Sequence, residues 1–254
     1  MLQQLDRDLN TTLDLDQTLY TGFYPRIHDQ SIPAYVWLAD YIQTYVQRDV
    51  RTLVNIGDLE RFERFIMLTA GRVGQLLNYS SLANDGGISV DTAKRWMSVL
   101  KTGFLTFLLK PHYRNFNKRI IKSPKLYFYD TGLVCHLLGI RDVRQLQAHP
   151  LRGAIFENLI IAEVAKAYLH HRMQPPIYFW RDQTGHEVDL LIEEGTQLYP
   201  VEIKSGQTIA SRMFESLSWW CNHARQPLTN ATLVYGGDRT HTQNQISVRP
   251  WFSV

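Results

Sequence analysis

Between residues 154 and 237 the spacing of apolar residues changes twice, and this constrains the fold more than any other feature of the chain. Residues 154–172, AIFENLIIAEVAKAYLHHR, repeat apolar side chains at helical period. The next three runs, IYFWRDQ (177–183), HEVDLLI (186–192) and QLYPVEIK (197–204), are short and separated by Thr-Gly and Glu-Gly turns, so they read as strands. SRMFESLSWWCNHA (211–224) returns to a helix, and ATLVYGG (231–237) reads as a buried strand. The resulting order, α-β-β-β-α-β, predicts a mixed α/β module over residues 150–254.

The upstream part reads differently. Trp37, Tyr41, Ile42, Tyr45 and Val46 recur at helical spacing after Pro33, which predicts one amphipathic helix over 36–54 within a helical segment 1–56. Asp58 is the expected N-cap of a second helix carrying Leu59, Phe62, Phe65, Ile66 and Thr69. A short helix capped by Ser80 or Ser81 should end at Gly86 and Gly87, and another, capped by Ser89 or Asp91, should bury Ala93, Trp96, Met97 and Leu100. Two short helices about a glycine turn are the pattern of a helix-turn-helix, with Thr92, Lys94, Arg95, Ser98 and Lys101 on the polar face. FLTFLLKPHY (104–113) and KRIIKSPKLYFYD (118–130) read as two strands about RNFN, the wing of a winged helix over 57–140. That wing carries Lys110, His112, Arg114, Lys118, Arg119, Lys122 and Lys125. DTGLVCHLLGI (130–140) reads as a connecting helix ending at Gly139, and RDVRQLQAHPLRG (141–153) as a polar linker.

Charge follows the same divisions. Residues 1–50 hold three arginines and seven aspartates, residues 51–130 thirteen basic and six acidic groups, and the remainder eleven of each. The middle third is therefore where a polyanion would bind, and Lys94, Arg95, Lys118, Arg119 and Lys122 are the expected nucleic-acid contacts. Cys135 and Cys221 lie far apart with no CxxC or Cys/His cluster, which argues against a zinc site and a disulfide framework. The polar, acidic opening MLQQLDRDLNTTLDLDQ is unlike a signal peptide, and no apolar run reaches the ~20 residues of a membrane helix, so a cytoplasmic location without membrane partners is expected.

The strongest chemical signal is in GHEVDLLIEEGTQLYPVEIKSGQT (185–208). Alternation along the strands sets Val188, Leu190 and Ile192 against Glu187, Asp189 and Leu191, and sets Val201 and Ile203 against Glu202 and Lys204. A turn at Glu194-Gly195-Thr196 brings Asp189 opposite Glu202, with Cβ atoms about 4.5–5.5 Å apart. Two adjacent carboxylates repel unless a cation or proton intervenes, so Asp189 and Glu202, with a backbone carbonyl near Ile203, are expected to hold Mg²⁺ or Mn²⁺. Lys204 would orient or deprotonate the attacking water and steady developing charge, and Glu157 on the preceding helix would add a further catalytic or metal-holding acid. The plainer alternative is an exposed hairpin face on which Lys204 forms an ordinary cross-strand ion pair.

FEN (156–158), EVDLL (187–191) and VEIKSGQT (201–208) together resemble the PD-(D/E)xK, restriction-endonuclease-like superfamily. The whole chain resembles the C-terminal region, of no assigned function, of bacterial and archaeal AAA-type ATPases. GFYPRIHD, YIQTYVQRDVR, GQLLNYSSLANDGGIS, NFNKRIIKSPKLYFYDTGLVCHLLGI, HPLRGAIFENLIIAE and YFWRDQTGHEVDLLIE carry this likeness. Val188 stands where the superfamily has the proline of its proline-aspartate pair, and Gly86-Gly87 departs from the larger residue usual before the second glycine. The resemblance implies a neighbouring ATPase domain, yet no GxxxxGK[ST] loop occurs in this sequence, so no ATP site is expected here. Two functions follow as expectations: a Mg²⁺- or Mn²⁺-dependent nuclease-like protein, or a non-catalytic DNA- or protein-binding module of a split or truncated ATPase with a separate ATPase subunit.

Overall fold

The computed structural model describes residues 13–51, 59–112 and 122–254, except for the side chain of Asp49. The chain is mixed helix and sheet and divides into two compact units. One, here the helical unit, comprises Asp14–Leu108 and Leu126–Leu159; the other, the sheet unit, comprises the described residues of Leu109–Lys125 with Ile160–Val254 and Leu13. Elements of the first two sequence segments fall mainly in the helical unit.

The helical unit begins with α1 (Leu15–Thr21), whose first turn is capped by the Asp14 carboxylate accepting from the Gln17 amide, followed by α2 (Pro25–Asp29). Pro33, extended and lacking an N–H, precedes α3 (Ala34–Thr44). The single helix expected over 36–54 does not persist: at Tyr45–Val50 it widens into a π turn. Tyr45 and Val50, five residues apart, are both buried, as the wider repeat permits. Residues 52–58, including the expected Asp58 cap, lie outside the described residues.

In α4 (Leu59–Ala70), Phe62, Phe65, Ile66 and Thr69 are buried at the anticipated spacing. Then come α5 (Tyr79–Gly86) and α6 (Val90–Thr102). Asn78 caps α5, in place of either serine, by accepting from the Ser81 amide; Asn is as good an N-cap as Ser and stands one residue before the helix. Gly87 ends α5 in the left-handed region at φ 62°, where a Cβ would be strained. Ser89 caps α6 as expected, and Trp96 from α6 meets Phe62 and Phe65 edge-on, with ring centroids 5.3 and 5.4 Å away. β1 (Thr106–Leu109) and β2 (Lys125–Phe128) pair into a two-stranded sheet, and the tip between them, residues 113–121, lies outside the described residues.

Asp130 caps α7 (Thr131–Leu137) and also accepts from the Phe23 amide at 2.7 Å. The expected polar linker contains instead a short helix, α8 (Val143–Ala148), started by Asp142 and anchored by buried Leu146. α9 (Arg152–His170) follows. Both cysteines are buried free thiols.

The sheet unit is built on six strands in the order β3-β4-β5-β6-β8-β7. β3 (Ile177–Arg181), β4 (Glu187–Glu194) and β5 (Gln197–Lys204) are antiparallel neighbours. The chain then crosses through α10 (Glu215–Ala224) to β6 (Thr232–Tyr235), which runs parallel to β5. This realises the order α-β-β-β-α-β, and a C-terminal hairpin missed by the sequence reading extends it: β7 (His241–Gln243) and β8 (Ile246–Pro250), with β8 parallel to β6. The outer edge of β3 is met by residues 110–112, where the His112 amide donates to the Phe179 carbonyl and the Phe179 amide to Lys110. Leu217, Trp220 and Cys221 of α10 pack with Leu191, Leu198 and Leu233 of the sheet. No helix among the described residues is long and apolar enough to cross a membrane.

Candidate functional site

The β4–β5 hairpin fixes its own register. Glu194 pairs with Gln197, Gly195 holds the turn at φ 62°, and the ladder runs back through Leu191↔Pro200 to Leu190↔Val201. One further step along this register sets Asp189 beside Glu202, as the turn position predicts.

Strict alternation along β4 does not hold. On β3, Tyr178 and Trp180 are two residues apart, but their partners on β4, Leu191 and Val188, are three apart. Asp189 and Leu190 therefore share one opposing residue, Phe179, which is the signature of a β-bulge. The bulge puts Val188 and Leu191 into one hydrophobic cluster, although alternation alone assigns them to opposite faces. It also turns the strand at the residue that carries the carboxylate.

Nor is the charged face of the hairpin exposed. Asp189 is 8% and Glu202 4% accessible. The Ile203 amide donates to Asp189 Oδ2 at 2.8 Å. Lys204 Nζ lies 2.5 Å from Glu202 Oε1 and 3.6 Å from Asp189 Oδ2, so one ammonium faces both acids. Glu202 Oε2 is buried with no hydrogen-bond partner among the described residues. Burial first, and then the neighbouring Asp189 charge, push the Glu202 carboxyl up to about 8, although Lys204 acts in the opposite direction. A buried carboxylate oxygen without a donor is costly, and a cation would relieve that cost. Two hard oxygen ligands side by side suit Mg²⁺ or Mn²⁺ better than softer metals. Among the described residues there is no cluster of three or more His, Cys, Asp or Glu that could hold a metal ion.

Of the remaining site residues, Glu157 belongs to the helical unit, where its carboxylate accepts from the Tyr127 hydroxyl. Next to it, Asn158, which sequence reasoning passed over, is fully buried and clamps the β2 backbone: Oδ1 accepts from the Phe128 amide at 2.7 Å and Nδ2 donates to its carbonyl at 3.0 Å. An asparagine inside an apolar helical run was the available signal.

Lys94 and Arg95 are both exposed on α6, and Lys94 Nζ stands 3.8 Å from Asp91. Lys122 is exposed, whereas Arg114, Lys118 and Arg119 lie outside the described residues. Two of the expected wing cations are not on the surface at all. Lys125, 3% accessible, is ion-paired with Glu187, and His112, 4% accessible, sits 3.6 Å from Glu193. Sequence reasoning assigns both to the wing because their acidic partners lie more than sixty residues away along the chain.

Comparison with known proteins places the chain in a family. A domain of unknown function, DUF8612, matches residues 12–144, more than half of the sequence, and the chain belongs to that family. A second domain of unknown function, DUF4143, commonly associated with AAA-type ATPases, matches residues 152–252. Uncharacterized proteins of Mycobacterium tuberculosis and Mycobacterium bovis are each 33% identical over 172 residues, which is 68% of this chain and 38% of theirs. The chain thus spans well under half the length of these relatives. No solved structure gives a significant match.

Proposed function

We propose that the sheet unit is a metal-dependent phosphodiesterase module of the PD-(D/E)xK type that acts on nucleic acid. The observation that carries this reading is the buried set Asp189, Glu202 and Lys204 with Glu202 Oε2 unpartnered among the described residues. Asp189 is held in place by the Ile203 amide, and Glu202 offers its second oxygen beside it, so the two would hold Mg²⁺ or Mn²⁺. Such an ion supplies Lewis acidity towards a phosphate oxygen and a more acidic bound water. Lys204, with 37% of its side chain accessible, is the group of the three that reaches solvent. Its ammonium would orient the incoming water and stabilise the charge that develops on phosphorus oxygens.

Titration of Mn²⁺ into the full chain tests this. Binding is expected for the wild type and is expected to disappear for Asp189→Asn, a change that retains an oxygen for the Ile203 amide. Equal heats for the two proteins would sink the assignment.

The helical unit adds a nucleic-acid-binding reading. The succession α4, α5, α6, β1, β2, with a glycine-ended α5 and exposed Lys94 and Arg95 on α6, supports reading this stretch as a winged helix. Neutralising both residues as Lys94→Gln/Arg95→Gln should lower the slope of log affinity against log salt by about 2 for duplex DNA, since each phosphate neutralised by the protein accounts for about 0.9 of that slope. An unchanged slope, read by fluorescence anisotropy, would leave α6 without a DNA role. ATP hydrolysis, which the AAA association suggests, would fall to a segment or subunit outside this sequence.

A further inference from the structure

A stack of three aromatic rings stands on the surface of the sheet unit. His186, the residue before β4, lies flat on Trp219 of α10, with ring centroids 3.8 Å apart and planes at 4°. His223, one helical turn on, covers the other face at 3.9 Å and 23°. Trp219 is only half-buried, while Trp220 beside it is 1% accessible.

Both imidazoles are pinned by one edge. His186 Nδ1 meets Thr184 Oγ1 at 2.9 Å and Asp182 Oδ2 at 3.3 Å. Burial acts to raise the Asp182 carboxyl, but hydrogen bonds from Thr184 and His186 outweigh it and hold the group below its usual range, so the anchor stays charged. His223 Nδ1 donates to the Trp219 carbonyl at 2.8 Å. The Nε2 atoms of both rings have no partner among the described residues. Flat faces held this way lose little freedom when another ring is added to the stack.

The neighbourhood suits a phosphate chain. Arg225, directly after α10, is exposed and makes no ion pair among the described residues. His186, just ahead of β4, precedes Asp189 by three residues, a reach of about 10 Å at most, which is within the span of two nucleotides.

We infer that His186, Trp219 and His223 form a base-stacking platform for single-stranded nucleic acid, which feeds the strand to Asp189, Glu202 and Lys204. As a binding site it needs no catalysis, but its placement as a feeder rests on the nuclease reading. Stacking is tolerant of sequence because every base has a π face, so the platform selects strandedness over base identity. In a duplex these faces are already stacked.

The test is a titration of an eight-nucleotide thymidylate strand into the full chain in EDTA, reading tryptophan quenching. Wild type is expected to be quenched, with His186→Ala/His223→Ala binding about tenfold more weakly, as removal of one stacked base implies. Trp219→Leu should abolish the quench, and His223→Ala alone, on an exposed helix face, provides a variant that leaves the fold intact. Inorganic polyphosphate and a blunt duplex should quench little. Equal affinity in the histidine variants, or the same quench with polyphosphate, would overturn the platform. Mn²⁺ binding by Asp189 and Glu202 is measured separately. Weakened strand binding without any Mn²⁺ binding upholds the platform and removes the nuclease, whereas the converse removes the platform alone.

Discussion

Glu202→Gln is expected to raise the midpoint of thermal unfolding by about 2–10 °C at pH 8.5 and to leave it nearly unchanged at pH 4. The folded-state pKa of Glu202 is raised from 4.5 to about 8, so the unfolded chain releases this proton earlier than the folded one. Below pH 4.5 both states are protonated and the group makes no difference. Between 4.5 and 8 the folded state binds the extra proton, so stability falls as pH rises, and above 8 the decline is complete. Glutamine keeps the shape and has no charge to bury, so it avoids a penalty of about 1–3 kcal/mol, which for a protein of this size is a few degrees. Saturating Mn²⁺ should stabilise the wild type and not the variant, and should do so more strongly as pH rises, because metal and proton compete for one carboxylate. Scanning calorimetry from pH 4 to 8.5 checks all of this. A wild type whose stability is flat relative to Glu202→Gln across that range contradicts a raised, ionisation-resistant Glu202.

The second large effect is expected at Lys125. This lysine is 3% accessible, pairs with Glu187 Oε1 and lies 5.6 Å from the centre of the Phe179 ring, while Arg181 Nη1 meets Glu187 Oε2 at 3.3 Å. Lys125→Met leaves Arg181 as the remaining cation on the Glu187 carboxylate among the described residues, and should lower stability by about 2–4 kcal/mol, near the lower end for a broken buried pair. Adding Glu187→Gln should recover at least half of that, because a buried ion pair replaced on both sides leaves no charge stranded. Urea unfolding of the two variants decides the matter. If the double variant is less stable than Lys125→Met alone, the pair is not the source of the effect.

Much of the site was legible in the residues alone. The Glu194-Gly195 turn and the period-2 pattern set the register that brings Asp189 to Glu202, because hairpin pairing is local and governed by turn chemistry. Ser89, Pro33 and Gly87 likewise mark helix ends through their own backbone preferences. What stayed hidden depends on distant partners. The bulge at Asp189 and Leu190 exists only against β3, and the burial of Lys125 and His112 only against Glu187 and Glu193. α8 was hidden for a different reason: its six residues bury one leucine, too few to reveal a period. The β7–β8 hairpin turns on Asn244 and Gln245, both at positive φ, and glutamine there is a far weaker turn signal than glycine. The His186–Trp219–His223 stack joins a turn to a helix more than thirty residues downstream, and no local pattern encodes it.

The sheet ends as it began, with a short edge. β7 has three residues, of which His241 and Thr242 are exposed, and at the opposite side the 110–112 segment occupies β3 through Phe179. A strand from another molecule would find three polar residues on one flank and donors and acceptors already engaged on the other, a poor template for pairing. Both flanks of the sheet thus resist the addition of a further strand.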